Sequence, residues 1–340
     1  MTTTVQNYLD KGLRGLWYPV LASWEVQSAP VGITRLGEQI VVWRNKDGEL
    51  QALEDRCPHR GARLSMGWNL GDRIACWYHG VEVAGNGEVK DVPAVDKCPL
   101  VGQQCVRSYH VQEAHGAIFL WFAATPDQQP EPLTFPEELA DSDKYSNFLC
   151  TAAWKCNYQY ALENVMDPMH GTYLHSSSHS MAEGDRKADM VLQPTKTGFI
   201  FEKKGQSGVN FDWVELGNSG AYWMRLSIPY KKRFGPGGHF WIVGMVVPED
   251  NDNCRVFFWR IRGVQGWQRD LWRFMYLNRL EKLHWEVLEQ DRVVLESLAP
   301  NARDHEYLYQ HDVGLSRLRR MMQKAAKEQL AAREEQQGAA

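Results

Sequence analysis

The chain has 340 residues, of which 44% are hydrophobic and 24% charged, with a formal net charge of −4. That length allows two domains with cores of their own, and the charge argues against a nucleic-acid-binding surface. No apolar run is long enough to cross a membrane, and the first dozen residues carry no apolar signal segment, so a cytoplasmic protein is expected.

From Trp17 to Phe122 the sequence reads as short strands separated by turns. Gln39 to Arg44 and Leu50 to Asp55 flank a turn at Asn45 to Gly48, a hairpin signal, and Ala117 to Phe122 is a further apolar strand. Inside this β region stand Cys57 and His59, then sixteen intervening residues, then Cys76 and His79. Pro58 and Gly61 shape the first loop, and Trp77, Tyr78 and Gly80 the second. The intervening Arg63 to Ile74 reads as a hairpin reversing near Gly67, Asn69 and Gly71. Two thiolates and two imidazoles are the ligand set of a Rieske [2Fe-2S] cluster, in which cysteine holds one iron and histidine the other. A structural zinc uses the same residue types. Zinc fingers, however, usually group Cys with Cys and His with His, whereas each loop here contributes one of each. The other cysteines (Cys98, Cys105, Cys150, Cys156 and Cys254) are scattered without pairing logic and are expected as buried free thiols.

Prolines 126, 130, 132 and 136 mark a connection between domains, giving an all-β domain over residues 1–125 and a second domain over 126–340. In the second, a helical stretch from Tyr158 to His175 precedes strand-like runs at Phe199 to Glu202, Ala221 to Ser227, His239 to Val247 and Arg255 to Ile261. Helices follow over Arg269 to Leu298 and Leu315 to Arg333. The expected class is α+β, with an antiparallel sheet flanked by helices behind the all-β domain.

The first of these helical stretches contains Glu163-Asn164-Val165-Met166-Asp167-Pro168-Met169-His170-Gly171-Thr172-Tyr173-Leu174-His175. Asp167 and His170 are three apart and share a helix face. His170 and His175 are five apart, about 140° on a regular helix, but Pro168 and Gly171 permit a distorted turn that brings both imidazoles to one point. Two histidines and one carboxylate form the facial triad of non-haem Fe(II) enzymes. Periodicity points to the carboxylate. On a helix through Leu280 to Leu298, Asp291 falls among Leu280, His284, Val287, Leu288, Val294, Leu295 and Leu298, while Glu286, Glu289 and Glu296 lie opposite. A carboxylate on an apolar face is costly unless paired or metal-bound. Pairing with an arginine or with His284 is the competing account of Asp291, and His284 itself reads as a core histidine that can also line a pocket.

With both sites in view, residues 15–300 resemble the oxygenase α subunits of the Rieske non-haem iron family, on its phthalate, vanillate and dicamba branch. The resemblance implies Cys57, His59, Cys76 and His79 as cluster ligands, and His170, His175 and Asp291 as ligands of a mononuclear Fe(II). It implies that Asp167 carries electrons between the iron site and a cluster histidine of a neighbouring subunit, within a homotrimer. Asn164 stands three residues before Asp167, the spacing of that branch. The implied partners are O2, a small aromatic substrate and a separate NAD(P)H-dependent reductase, with or without a ferredoxin. The chain has no Gly-x-Gly-x-x-Gly after a strand to bind a dinucleotide itself.

The activity this resemblance implies is hydroxylation, in the first instance cis-dihydroxylation, of a small aromatic acid. O- or N-demethylation is the alternative, and an electron carrier lacking oxygenase activity is the reading from another class. Trp223, Arg225, His239 and Trp241, on strands expected behind the iron, are candidate pocket walls together with Asn164 and His284. Arg225 is singled out because a guanidinium can clamp a carboxylate.

Overall fold

The computed structural model describes residues 4–178, 185–206, 208–230 and 237–339. It divides into two compact units. One comprises Arg14–Pro130 with Val247–Asp250, and the other comprises Met1–Leu13, Glu131–Val246 and Asn251–Ala340. The division falls within the proline-rich connection. The N-terminal helix α1 (Val5–Asp10) groups with the second unit, unlike the sequence expectation, because its side chains bond there: Tyr8 Oη donates to Gln329 Oε1 at 2.8 Å and Gln159 Nε2 to Asp10 Oδ1 at 2.9 Å.

The first unit is built from β1 (Leu16–Ala22), β2 (Val31–Arg35), β3 (Glu38–Arg44), β4 (Leu50–Glu54), β5 (Trp68–Asn69), β6 (Arg73–Ala75), β7 (Glu82–Ala84), β8 (Val89–Asp91), β9 (Val111–Ala114) and β10 (Ala117–Phe122). They form three antiparallel sheets in the orders β1-β10-β9, β2-β3-β4 and β5-β6-β7-β8. Aliphatic and aromatic residues drive the pairing: Ile40, Val41, Val42 and Trp43 on β3 are all fully buried. Cys57 and Cys76 belong to the same core as Val41, Trp43, Leu53 and Ile74, so the loops that carry them are anchored by burial of the thiols. None of the remaining cysteines forms a disulfide, but Cys105 is exposed and Cys98 partly so. That corrects the expectation of burial: both lie in the irregular stretch between β8 and β9, outside the core.

The second unit begins with α1 and a short α2 (Glu137–Ala140) and continues through β11 (Tyr145–Trp154), α3 (Tyr158–Val165), α4 (His170–Leu174), β12 (Met190–Pro194), β13 (Phe199–Lys203), β14 (Trp213–Asn218), β15 (Tyr222–Pro229), β16 (His239–Pro248) and β17 (Cys254–Gly263). The strands make one antiparallel sheet in the order β11-β17-β16-β15-β14-β13-β12.

The helical stretch expected over 158–175, with a distorted turn at Pro168 and Gly171, is two helices. Pro168 lacks an N–H and disfavours helical backbone at Asp167, so the chain breaks between Val165 and His170. The expected helix over 269–298 is α5 (Gly266–Met275), a π-helical turn (Tyr276–Leu280) and α6 (Glu281–Glu296). A π turn resets the phase of the residues after it, and α6 then directs His284, Val287, Leu288 and Asp291 to one side. Val294 and Leu298, expected in the same buried stripe, are 40% and 39% exposed. The stripe is narrower than periodicity alone predicts. The final helix, α7 (Val313–Ala339), buries Leu318, Met322 and Ala326. Among the described residues no helix is long and apolar enough to cross a membrane.

Candidate metal centres and the adjoining cavity

The two cysteine loops have the same backbone. In the first, the Cys57 N–H donates to Ala62 O at 2.8 Å and the Gly61 N–H to Cys57 O at 2.9 Å. In the second, the Cys76 N–H donates to Val81 O at 2.8 Å and the Gly80 N–H to Cys76 O at 2.8 Å. Each turn closes at a glycine in the left-handed region, Gly61 at φ 76° and Gly80 at φ 75°, where a side chain would be strained. The loops present Cys57 and Cys76 inward and His59 and His79 outward, with the imidazole centroids 4.6 Å apart. Burial pushes the Cys57 thiol up to about 11, against the N–H groups of His59 and Arg60, and the neighbouring Cys76 thiol pushes it the same way. A nearby cation would favour the charged form of a thiol raised in this way. A buried thiol pair facing an exposed imidazole pair fits a cluster with one sulfur-held and one nitrogen-held iron.

The second centre lies wholly in the second unit. One donor atom from each of His170, His175 and Asp291 falls within 4.8 Å of the other two. Asp291 Oδ1 is 3.2 Å from His175 Nε2 and 3.5 Å from His170 Nε2, and it accepts the Asn164 amide at 3.1 Å. His175 is fully buried and Asp291 is 6% exposed. Yet among the described residues His175 Nε2 makes no hydrogen bond. A buried ring nitrogen without a partner, facing another imidazole and a carboxylate, is what an N,N,O metal site presents.

Neighbouring groups hold these donors in place. His175 Nδ1 lies 2.8 Å from Gln290 Oε1, so with Nδ1 protonated the Nε2 lone pair points toward Asp291. Burial would lower the basicity of His175, but the Asp291 carboxylate, with Gln290, outweighs it and holds the imidazole above its ordinary range. Asp167 bridges the helix break: Oδ1 accepts the Met169 N–H at 2.7 Å, Oδ2 accepts the His170 N–H at 3.2 Å, and Oδ2 is also 3.9 Å from His170 Nδ1. Its side chain remains 44% exposed.

The centre opens onto a mostly apolar cavity with a few convergent polar groups, the kind of lining that small-molecule sites have. Its sheet wall is the alternate-residue face of three strands: Leu226 and Ile228 of β15, Phe240 and Ile242 of β16, and Phe258 and Arg260 of β17. Phe211, Val165, Val287, Leu288, His284 and Asn164 close it. Leu226 pairs with Ile242 and Ile228 with Phe240 across the sheet.

This geometry corrects four of the expected wall residues. Trp223, Arg225, His239 and Trp241 have the opposite parity on β15 and β16, and successive side chains point to opposite faces. There Arg225 is held by Glu138, at 3.0 and 3.1 Å, and by its cross-strand neighbour Glu215, at 2.6 and 2.9 Å. Trp223 and Trp241 flank its guanidinium at 6.0 and 5.8 Å, and His239 Nδ1 lies 3.3 Å from Ser227 Oγ. With two carboxylates already matching its charge, this arginine is committed to protein partners. Asn164 and His284 do line the cavity.

Sequence reasoning missed the aliphatic and phenylalanine walls, Gln290 and Arg260. Arg260 is one of three arginines, with Arg255 and Arg262, in the run Arg255-Val256-Phe257-Phe258-Trp259-Arg260-Ile261-Arg262, so the sequence alone did not set it apart.

Comparison with known proteins gives two family matches, the Rieske [2Fe-2S] domain over residues 16–110 and the vanillate O-demethylase oxygenase C-terminal domain over residues 154–328. The chain is 32% identical over 205 residues to Protein TIC 55, chloroplastic, of Arabidopsis thaliana (57% of this chain, 38% of the relative). It is 33% identical over 172 residues to a vanillate O-demethylase oxygenase subunit of Pseudomonas sp. (51% of this chain, 48% of the relative). It is 32% identical over 226 residues to the terminal oxygenase component of carbazole 1,9a-dioxygenase of Metapseudomonas resinovorans (63% and 55%). The match thus spans about half the length of these relatives or less. In fold, it superposes on the terminal oxygenase of carbazole 1,9a-dioxygenase from Novosphingobium with a TM-score of 0.75 at 21% identity, covering 96% of this chain and 95% of that one. It superposes on dicamba monooxygenase bound to dicamba with a TM-score of 0.73 at 22% identity, covering 94% and 98%.

Proposed function

Because the chain belongs to the Rieske-domain oxygenases with a vanillate O-demethylase-type C-terminal domain, we propose that it is a terminal oxygenase that hydroxylates a small aromatic acid. What supports this is the convergence of His170, His175 and Asp291 at the wall of an apolar cavity. With the metals bound, a [2Fe-2S] cluster on Cys57, His59, Cys76 and His79 would store single electrons, and ferrous iron on His170, His175 and Asp291 would supply O2 activation.

The protein's own groups do the rest. Gln290 fixes the His175 tautomer, and the Asn164 amide holds Oδ1 of Asp291. Leu226, Ile228, Phe240, Ile242 and Phe258 exclude water and orient a flat ring. The exposed Asp167 carboxylate, three residues before His170, is the proposed bridge to a cluster histidine of a neighbouring copy, which requires a homo-oligomer, a trimer in our reading. A separate NAD(P)H-dependent reductase, directly or through a ferredoxin, supplies two electrons, and two protons enter with them. Both oxygen atoms stay in the ring product of a dihydroxylation. A cytoplasmic location goes with this electron supply.

O-demethylation is the second reading, favoured by the match of residues 154–328 to the vanillate O-demethylase C-terminal domain. The same electrons and O2 then turn a methoxy group into a hydroxyl, formaldehyde and water. Turnover with a surrogate reductase under ¹⁸O2, using benzoates, phthalates and methoxybenzoates, tests both. Two labelled oxygens in the product mean dihydroxylation, loss of a methylene with formaldehyde release means demethylation, and oxidation of none of the panel contradicts the proposal.

A further inference from the structure

Arg260 is 2% exposed and lines the cavity, as Asp291 does. Its Nη1 donates to Tyr276 Oη at 2.9 Å, and the guanidinium stands 5.5 Å from the Trp285 ring centroid. Nη2 is buried and, among the described residues, has no hydrogen-bond partner. The nearby titratable groups do not neutralise it. Tyr276 and Cys150 are buried and held well above their ordinary values, so both stay uncharged. Glu281, whose charge both of them feel, makes no ion pair with Arg260 among the described residues.

Buried Arg35, by contrast, meets Glu249 at 2.8 Å and the carbonyl of Val20 at 2.6 Å, while buried Arg262, whose Nη1 also has no hydrogen-bond partner among the described residues, donates to Gly237 O at 2.8 Å. A guanidinium cannot shed its proton, and a buried charge is normally paired. Arg260 lines the cavity that also holds His170, His175 and Asp291.

We infer that Arg260 is the specificity residue of the cavity and pairs with an oxyanion, a carboxylate or sulfonate, on an aromatic substrate. The anion takes the unpartnered Nη2, the ring lies against Phe240, Ile242 and Phe258, and the far edge of the ring faces the histidines. This assignment rests on the cavity being the substrate site of the proposed oxygenase. It places the clamp at Arg260 on β17 and not at Arg225 on β15.

The test uses the full chain with its cluster, kept anaerobic, and measures calorimetric binding of benzoate, benzenesulfonate and neutral benzamide to the wild type and to R260Q and R260K. The wild type should bind at least one anion at least about tenfold more tightly than benzamide. R260Q should erase that preference, and R260K should keep part of it. Whichever anion binds more tightly identifies the group. Equal wild-type affinity for anions and benzamide overturns the inference, and so does an R260Q variant that keeps the preference. If R260Q does not fold with its cluster, the wild-type comparison and R260K decide alone.

Turnover of neutral anisole in the reconstituted system separates this from the parent reading. Oxidised anisole without anion preference removes only the arginine assignment. An anion preference that depends on Arg260, in a protein that oxidises nothing, supports the assignment and removes the oxygenase.

Discussion

The side-chain oxygen of Gln290 lies 2.8 Å from Nδ1 of His175, one residue before the carboxylate that faces Nε2 of the same ring. Helix α6 thus grips this imidazole from both sides. Removing the acceptor frees the ring to rotate and to change tautomer. Gln290→Leu should weaken Fe(II) binding about 10- to 100-fold, read by competition with a ferrous chelator, while Gln290→Glu, which keeps an acceptor, should stay near wild type. Equal affinities in Gln290→Leu and wild type would remove this role.

His170→Ala should abolish oxygenation and leave the visible cluster spectrum and its reduction by a reductase unchanged. This separates an oxygenase from an electron carrier, since a carrier keeps shuttling without the second centre. Retained oxygenation would contradict the assignment of His170.

On the proposed reading Asp167 has two roles that substitutions can split. Its oxygens accept the N–H groups of Met169 and His170 at the start of α4, a capping arrangement. Asp167→Ala should cost about 1 kcal/mol of stability, and Asp167→Asn, which still accepts, only a few tenths. Both should slow electron arrival at the iron by at least about tenfold in single turnover. An Asn variant that transfers at the wild-type rate would reduce Asp167 to a cap.

Much of the site was legible because charge in an apolar setting is conspicuous. Asp291 was found from the aliphatic stripe around it, and the cysteine loops from the ligand types and their glycines. The cavity wall was not, because Trp223, Arg225, His239 and Trp241 drew attention by their chemistry while the face toward the centre belongs to Leu226, Ile228, Phe240 and Ile242. Which parity of an antiparallel strand faces a helix is set by register, and both faces of β15 and β16 carry apolar residues, so alternation gave no preference. The π turn over Tyr276–Leu280 and the break at Pro168 moved the helix phases in ways that simple periodicity does not register.

The glycines of the two cysteine loops make a backbone prediction. At Gly80 (φ 75°) a Cβ would meet nothing closer than Pro93 Cγ at 3.5 Å, so strain, not crowding, decides the cost. Gly80→Ala should destabilise the first unit by about 1–2 kcal/mol, seen as a lower melting temperature and faster loss of cluster absorbance. An unchanged melting temperature would show that the loop relaxes freely.

Glu38 sets an acid limit on the first unit. Burial raises its carboxyl, but Arg14, Tyr109 and Arg107 outweigh burial and hold it below the ordinary glutamate range, with Arg14 Nη1 at 2.5 Å. A depressed folded-state value means stability that is present above the unfolded value and is lost as pH falls through the folded one. Glu38→Gln should therefore lower the melting temperature near neutrality and lessen its fall on acidification below the glutamate range. Parallel wild-type and variant curves across that range would contradict this.

The account stands on two iron stations in one chain, and combined iron and acid-labile sulfide analysis of protein loaded anaerobically with ferrous salt tests it most directly. Wild type should hold about three irons for every two sulfides. Asp291→Ala should hold about two irons for the same two sulfides with an unaltered visible spectrum. A wild type with no iron beyond the sulfide-matched pair, or an Asp291→Ala protein that keeps the third iron, would contradict it.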